Sequence, residues 1–232
     1  MKKFYAEKKD DLFLFEDDEF HHLNVLRCRV GEEIICLTTD GFEYLCEITS
    51  IEKKKAYAKI ISKKLNDKNP NKQIAVFQGN VKGEKIDLIV QKLTELGISE
   101  FYTFESSFTT AKINNNKIER LNKISMEACK QCGRSIPLKI NEGLKFKEML
   151  SLLEEYDIIL FANEKEKLRN FDDLKNYNKI AIIVGSEGGF SDAEIEQINQ
   201  LNVINFGLGN RILRAETACI AMSSIICYLL DV

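Results

Sequence analysis

The spacing of hydrophobic residues changes along the chain and predicts two kinds of structure in succession. From Phe20 to about Ile61, short segments alternate hydrophobic and polar residues, which is the pattern of strands with one buried face. After residue 72, short runs rich in β-branched residues are separated by helical patterns. We therefore predict an α/β protein with a small all-β part followed by an α/β part.

In the all-β part, we predict three strands at Glu33–Thr38, Phe42–Ile48 and Ala56–Ile61. The dipeptide Asp-Gly at residues 40–41 lies between the first two and is a hairpin signal. This part is predicted to be a small β-barrel. The segment 66–72 is polar, contains one of only two prolines and has the composition of a linker. The predicted domains are residues 1–67 and 73–232.

The α/β part begins with a strand at Gln73–Phe77 and an amphipathic helix from Lys85 to Leu96, which Gly97 ends. Further strands and helices follow at 101–104, 116–131, 157–162, 179–184, 203–206 and 215–230. The run 179–184 is apolar throughout, as in a strand that is buried on both faces of a parallel sheet. Ligands of mostly parallel sheets bind beyond the carboxyl ends of the strands.

Two glycine-bearing loops follow two of these strands. The run 179–184 continues into the sequence GSEGGFS, where Ser191 and Glu194 form a capping-box pattern at the start of a helix. The strand 203–206 continues into GLGNRILRAETA. The spacing fits neither common phosphate-binding motif, and Glu187 would repel phosphate. A single Gly-Gly loop can be an ordinary turn, but two such loops predict a ligand pocket lined by backbone.

Composition agrees with a globular protein without a membrane segment. Of the 232 residues, 44% are hydrophobic and 30% are charged, and the chain has neither a long apolar run nor an apolar signal core near its start. We therefore expect a cytoplasmic protein. The seven cysteines lie mostly in apolar patterns and are expected to be reduced core thiols.

Cys129 and Cys132 form a C-x-x-C pair, but the pair lies near the carboxyl end of a predicted helix. A redox pair normally sits at a helix amino end, and a structural zinc site needs a second ligand pair. No metal site is predicted.

The net charge of −3 excludes a globally basic nucleic-acid surface. Local basic groups remain, although the lysine run at 53–55 can equally be a solvated strand edge. The local candidates are Arg27, Arg29, Lys53–Lys55, Lys59, Lys63, Lys64, Lys82, Lys85 and Arg134.

Several segments together resemble one family. The glycine loops, HHLNVLR at 21–27, IDLIVQKLTELGISEF at 86–101 and EACKQCGR at 127–134 are similar to the RsmE family over nearly the whole chain. These bacterial enzymes methylate N3 of one uridine in 16S ribosomal RNA. The resemblance implies a SPOUT-type α/β domain with a trefoil knot, a PUA-like β-barrel that helps to hold RNA, S-adenosylmethionine as the methyl donor, and a homodimer that acts on the small ribosomal subunit.

The resemblance also implies site residues. The donor pocket is assigned to Ala162, Gly185, Glu187, Gly188, Gly189, Leu208, Gly209, Ile212 and Leu213. The candidate catalytic residues are Arg214, which can stabilise charge on the uracil oxygens, Arg134 and Glu95. The candidate RNA-binding residues are His22, Arg27, Arg29, Lys82, Lys85 and Arg134.

Each catalytic assignment has a structural alternative. Arg214 can form a salt bridge with Glu187 or Glu216, and Glu95 can be a helix cap or an ion-pair partner. The chain also departs from the family's common forms at Ser186, at Lys130 and in the segment 107–110. Two other functions stay open: a different SPOUT methyltransferase that acts on transfer RNA or a ribose hydroxyl, and an RNA-binding module without activity.

Overall fold

The structure, a computed structural model, describes residues 1–111, 113–164, 166 and 174–230. The chain forms two compact units. The first contains Met1–Asn69 and Cys129–Pro137, and the second contains Pro70–Ala128 and Leu138–Val232. No sequence signal indicated that residues 129–137 belong with the first unit.

The first unit contains a curled six-stranded sheet with the order β1-β4-β5-β6-β3-β2. Its strands are β1 (Lys3–Tyr5), β2 (Glu7–Lys9), β3 (Leu12–Phe15), β4 (Glu33–Leu37), β5 (Phe42–Ile51) and β6 (Ala56–Leu65), and helix α1 spans Asp17–Val25. The three predicted strands are confirmed, and two of them extend further than predicted. The first three strands and α1 were not predicted. The strands, of three or four residues, are too short to show a period, and α1 buries only Leu23, so its sequence shows no apolar face.

The start of the predicted linker is held by hydrogen bonds within the first unit. Asn66 is buried, and its Nδ2 donates to the carbonyl oxygen of Gly133 at 2.9 Å. The Oδ1 of Asn69 accepts from the backbone N–H groups of Ser135 at 3.1 Å and Ile136 at 2.9 Å. These asparagines pair with backbone groups of a segment that is distant in the chain. Their polarity, which was interpreted as the composition of a linker, therefore serves hydrogen bonds within the first unit.

The second unit contains a parallel sheet with the order β10-β8-β7-β12-β11-β13, to which β9 adds by pairing with β8. Its strands are β7 (Gln73–Gly79), β8 (Glu100–Glu105), β9 (Lys139–Ile140), β10 (Leu144–Lys145), β11 (Ile158–Ala162), β12 (Lys179–Val184) and β13 (Val203–Phe206). Its helices are α2 (Lys85–Leu96), α3 (Asn115–Cys132), α4 (Phe146–Leu153), α5 (Asp192–Ile198) and α6 (Ala215–Leu230), with a 3₁₀ turn at Leu174–Asn176. The last residues of α3 belong to the first unit.

This sheet is buried on both faces, as the apolar runs predict. Side chains of β12 alternate between a cluster that includes α2 and α6 and a cluster that includes α4 and α5. Helix α2 has the predicted bounds, and Gly97 ends it with a φ of +92°. Helix α4 and the two-residue strands β9 and β10 were not predicted.

Six of the seven cysteines are buried, in agreement with their apolar contexts, whereas Cys132 is only partly buried. Within the described ranges, no helix is long and apolar enough to cross a membrane. The same residues contain no group of three or more His, Cys, Asp or Glu side chains arranged to hold a metal ion.

Candidate active site

A pocket of about 470 Å³ lies at the carboxyl ends of β11, β12 and β13, within the second unit. This volume is typical of small-molecule sites. All the residues predicted to bind the methyl donor line it, namely Ala162, Gly185, Glu187, Gly188, Gly189, Leu208, Gly209, Ile212 and Leu213. The structure therefore brings together two loops that are separated in the chain by α5 and β13.

The first loop leaves β12 and turns sharply before α5. The N–H of Gly189 donates to the carbonyl oxygen of Ser186 at 3.0 Å, and Gly189 has a φ of +66°, a conformation that side chains rarely adopt. Ser191 caps α5, and the Glu194 side chain completes the predicted capping box.

The end of β7 packs against this loop and supports it. Gln78 donates through Nε2 to the carbonyl oxygen of Gly185 at 2.7 Å. A Cβ atom at Gly79 would lie 2.4 Å from the backbone nitrogen of Ser186. Gly79 is therefore needed where the strand and the loop come into contact.

The second loop connects β13 to α6. Gly209 has a φ of +109°. Ile212 and Arg214 both line the pocket. Ile212 is 86% exposed, and the side chain of Arg214 is 81% exposed. The loop thus places an apolar side chain and a cation at the pocket, and both remain available to a ligand or substrate.

Lys85, predicted to bind RNA, lines this pocket and is paired there with carboxylates. Its Nζ lies 2.7 Å from Oε1 of Glu187 and 3.8 Å from Oε2 of Glu216. Burial raises the pKa of the Glu187 carboxyl, but hydrogen bonds from Lys85 and from the N–H of Lys82 outweigh it, so the pKa lies below its ordinary value. Its hydrogen bond to Glu187 raises the pKa of Lys85.

Arg214, the first catalytic candidate, is held only loosely by its predicted partners. Its Nη1 lies 4.0 Å from Oε1 of Glu216, at the limit of an ion pair, whereas Glu187 is paired with Lys85. The exposed guanidinium can therefore reach a substrate.

The other two catalytic candidates do not line the pocket. Glu95 lies on α2, and both of its carboxylate oxygens accept from Lys92 Nζ, at 2.9 and 3.0 Å. The ion-pair alternative therefore describes Glu95 in this structure. Arg134 belongs to the first unit and is only 2% exposed. An arginine that contacts RNA is expected to be accessible, and Arg134 is not.

Four other predicted RNA-binding residues differ in accessibility. Arg27, Arg29 and Lys82 are exposed. His22 is half-buried, because its ring packs on Phe4 with centroids 5.1 Å apart.

The unusual basic residue at position 130 is also explained within the first unit. Lys130 forms a salt bridge with Glu19 of α1, so its charge is matched by a carboxylate.

Sequence reasoning missed several residues that line the pocket. Phe190 packs its ring between Phe104 and Phe161, at centroid distances of 5.9 and 5.1 Å, and thereby supports the first loop. Glu164 follows β11, and its position at the carboxyl end of a parallel strand was the signal that could have found it. No local pattern distinguishes Arg211 or Ala218.

Comparison with known proteins identifies the family. A model described as an RNA methyltransferase domain matches residues 67–227, and one described as an RNA methyltransferase PUA domain matches residues 15–61. Ribosomal RNA small subunit methyltransferase E of Bacillus subtilis is 31% identical over 229 residues, covering 93% of this chain and 90% of the relative. Ribosomal RNA small subunit methyltransferase E 2 of Borreliella burgdorferi is 34% identical over 218 residues, covering 87% and 84%.

Solved structures agree with these matches. The crystal structure of ribosomal RNA small subunit methyltransferase E from Neisseria gonorrhoeae, bound to S-adenosyl methionine, has a TM-score of 0.88 and 27% identity, covering 99% of this chain and 98% of that one. A putative methyltransferase from Legionella pneumophila, also bound to this cofactor, has a TM-score of 0.86 and 25% identity, covering 98% and 97%. The chain therefore belongs to the ribosomal RNA small subunit methyltransferase E family.

Proposed function

We propose that this protein transfers a methyl group from S-adenosylmethionine to N3 of one specific uridine in 16S ribosomal RNA. The observation that carries the proposal is the pocket at the carboxyl ends of β11, β12 and β13, which is lined by both glycine loops and by every residue assigned to the donor site. Membership of the family supports the same reaction and substrate class.

The residues present fit this donor. Adenine needs hydrogen-bonding groups at its edge and apolar groups on its faces, and the pocket offers loop backbone together with Leu208, Ile212 and Leu213. Ser186 lines the pocket, and its buried hydroxyl has no hydrogen-bond partner among the described residues, so it is available to a ligand. The donor supplies a methyl group on a sulfonium, which is electrophilic without a metal ion.

The chain's own residues must make uridine N3 nucleophilic. N3 carries a proton at neutral pH, and its loss leaves negative charge on the uracil ring and its O2 and O4 atoms. Arg214 is an exposed cation at the donor pocket and can stabilise that charge as it develops. The N3 proton passes to solvent, and N3 attacks the methyl carbon as the carbon–sulfur bond breaks, so that S-adenosylhomocysteine leaves as a neutral thioether. The loops hold the reacting atoms in line.

We also propose a role for each unit, a dimer and a form of the substrate. The first unit is a PUA-like barrel that holds RNA, the second unit is a knotted SPOUT domain, and two copies associate through α6. Exposed apolar residues on α6, Ile225 and Tyr228, support the dimer. The substrate is the small ribosomal subunit in the cytoplasm.

Two measurements test the proposed function. Calorimetric titration with S-adenosylmethionine should give saturable one-site binding, which a module with merely structural loops would lack. Mass spectrometry should then find a methyl group on N3 of one uridine in 16S RNA when subunits from a strain lacking the gene are treated with enzyme and donor. Methylation of a ribose hydroxyl or of transfer RNA instead would contradict the proposal.

A further inference from the structure

An aromatic side chain is exposed beside the donor pocket. Phe108 lies in the turn that follows β8, and 53% of its surface is accessible. Single exposed apolar residues are common and need no explanation by themselves. Phe108 differs from such residues in two ways. Hydrogen bonds fix the turn that carries it, and this turn packs against the first glycine loop, which lines the pocket.

The turn is closed by its own hydrogen bonds. The N–H of Thr109 donates to the carbonyl oxygen of Ser106 at 3.0 Å. In the opposite direction, the N–H of Ser106 donates to Oγ1 of Thr109 at 2.9 Å, and the two hydroxyl oxygens are also 2.9 Å apart. Phe108 is therefore carried by a rigid turn rather than by a free loop.

A buried carboxylate fastens this turn to the first glycine loop. Oε1 of Glu194 accepts from the N–H of Ser107 at 2.8 Å, while Oε2 accepts from the N–H of Ser191 at 2.8 Å. Glu194 is only 5% exposed, so both bonds are shielded from water. One side chain thus caps α5 and positions the turn that carries Phe108.

Gly188 allows the turn to lie directly on the loop. A Cβ atom at Gly188 would be 2.7 Å from Cβ of Phe108 and 3.3 Å from its carbonyl oxygen. Gly188 also lines the donor pocket. The backbone of Phe108 is therefore packed against a wall of the pocket, while more than half of the residue remains exposed.

We infer that Phe108 is a stacking platform for an unpaired base of the substrate RNA. This inference rests on the proposed function, because transfer to N3 requires a uridine that is freed from its base pair and its stack. Aromatic side chains hold such bases through their faces. The net charge of −3 adds a reason, since stacking supplies affinity that does not depend on lysine and arginine.

Four substitutions distinguish stacking from other uses of an apolar side chain. Phe108→Ala removes the ring, Phe108→Leu keeps an apolar group without an aromatic face, and Phe108→Tyr and Phe108→Trp keep a face. We expect kcat/KM for small subunits to fall by about 5- to 150-fold in the first two variants, the range for loss of one base stack. The aromatic variants should stay within about threefold of wild type.

Four further readouts separate stacking from a structural role. The donor dissociation constant and the thermal midpoint should be unchanged in all four variants, because the turn and the pocket are held by backbone and by Glu194. The dependence of RNA affinity on salt should keep its slope, since no charge is removed. Light scattering should give the same oligomeric state as wild type.

The outcomes are distinguishable. If wild-type enzyme methylates no small-subunit RNA, the proposed function fails. If wild type is active but Phe108→Ala is equally active, or Phe108→Leu matches Phe108→Tyr, the stacking role is wrong. A parallel loss of donor affinity would make Phe108 a brace of the loop, and a change in oligomeric state would make it a contact between two copies; either result overturns the inference.

Discussion

At the scale of single residues, the glycines of the first loop are required for two different physical reasons. Gly189 has a φ of +66°, and a Cβ there would meet nothing within 4 Å, so its requirement is conformational. A Cβ atom at Gly188 would collide with Cβ of Phe108, so the requirement for glycine there is steric.

We expect Gly189→Val to weaken donor binding by at least about tenfold, because a β-branched residue at positive φ is strained and changes the loop. Gly209→Val, at a φ of +109°, should have the same effect. Calorimetric titration measures it. The matched control is Gly31→Val in the first unit, where φ is +84° and no atom lies within 4 Å. This variant should lose thermal stability but keep donor affinity, and retained binding in both loop variants would remove these loops from the donor site.

Arg214→Ala should lower the single-turnover methylation rate by roughly a hundredfold at saturating donor, the loss found when one preorganised electrostatic group is removed. Donor affinity should change little, because the guanidinium is exposed and its contact with Glu216, at 4.0 Å, is at the limit of an ion pair. If Arg214 only braced the loop, donor affinity and thermal stability would fall together, and Arg214→Lys would rescue poorly. A wild-type rate in the alanine variant would contradict the catalytic role.

At the scale of elements, Lys85 connects α2, the first glycine loop and α6. A lysine at the amino end of a helix is opposed by the helix dipole, and the carboxylates of Glu187 and Glu216 offset this cost. The contact therefore links the positions of three elements around the pocket.

Lys85→Met should weaken donor binding by up to about fivefold, because a partly exposed pair contributes modestly and its loss leaves the Glu187 carboxylate, which lines the pocket, without this cation. Lys82→Met is the matched control, since only the backbone N–H of Lys82 contacts Glu187. Equal donor affinities in the two variants, measured by calorimetry, would show that the ion pair does not shape the pocket.

The same pair predicts how donor binding depends on pH. The pKa of Glu187 is lowered from 4.5, so its contribution to folding stability is complete above that value and is lost as pH falls through the lower folded pKa. The pKa of Lys85 is raised from 10.5, so its contribution to folding stability is complete below that value and is lost as pH rises through the higher folded pKa. Between these limits both side chains of the folded protein keep their charge, so the pair should not make donor affinity change with pH. A rate of methylation that rises with pH inside this window would report loss of the N3 proton.

At the scale of the whole molecule, α6 is apolar nearly all round, but one chain covers only part of it. Met222 and Ile226 are buried, whereas Ile225 is 37% and Tyr228 is 83% exposed. Ile225 and Tyr228 are three residues apart and so lie on one face of the helix, which favours association of that face with another surface. This is why the dimer is proposed through α6.

Light scattering at micromolar concentration should give the mass of a dimer. Tyr228→Lys should shift the protein toward monomer, because it places a charge in the proposed interface. Leu65→Lys, at a residue that is 70% exposed in the first unit, should leave the mass unchanged. A wild-type monomer, or a Tyr228→Lys variant that remains dimeric, would contradict an interface at this helix.

Much of the fold and the candidate donor site could be predicted from the sequence, because their signals are local. The apolar run 179–184, the alternation in 42–48 and the amphipathic face of 85–96 each bury a face that their own spacing defines. Ser191 with Glu194 specifies a helix start by direct hydrogen bonds. The family resemblance added the residues of the donor pocket, which the structure brings together.

What only the tertiary structure decided is which distant groups meet. Lys85, predicted to bind RNA, pairs with Glu187, more than a hundred positions later in the chain. Asn66 belongs to the first unit because it bonds to Gly133. Phe108 is held at the donor loop because Glu194 bonds to Ser107. A charge or an amide carries no mark of its partner in the sequence, since its energy depends on the distance and burial that folding creates.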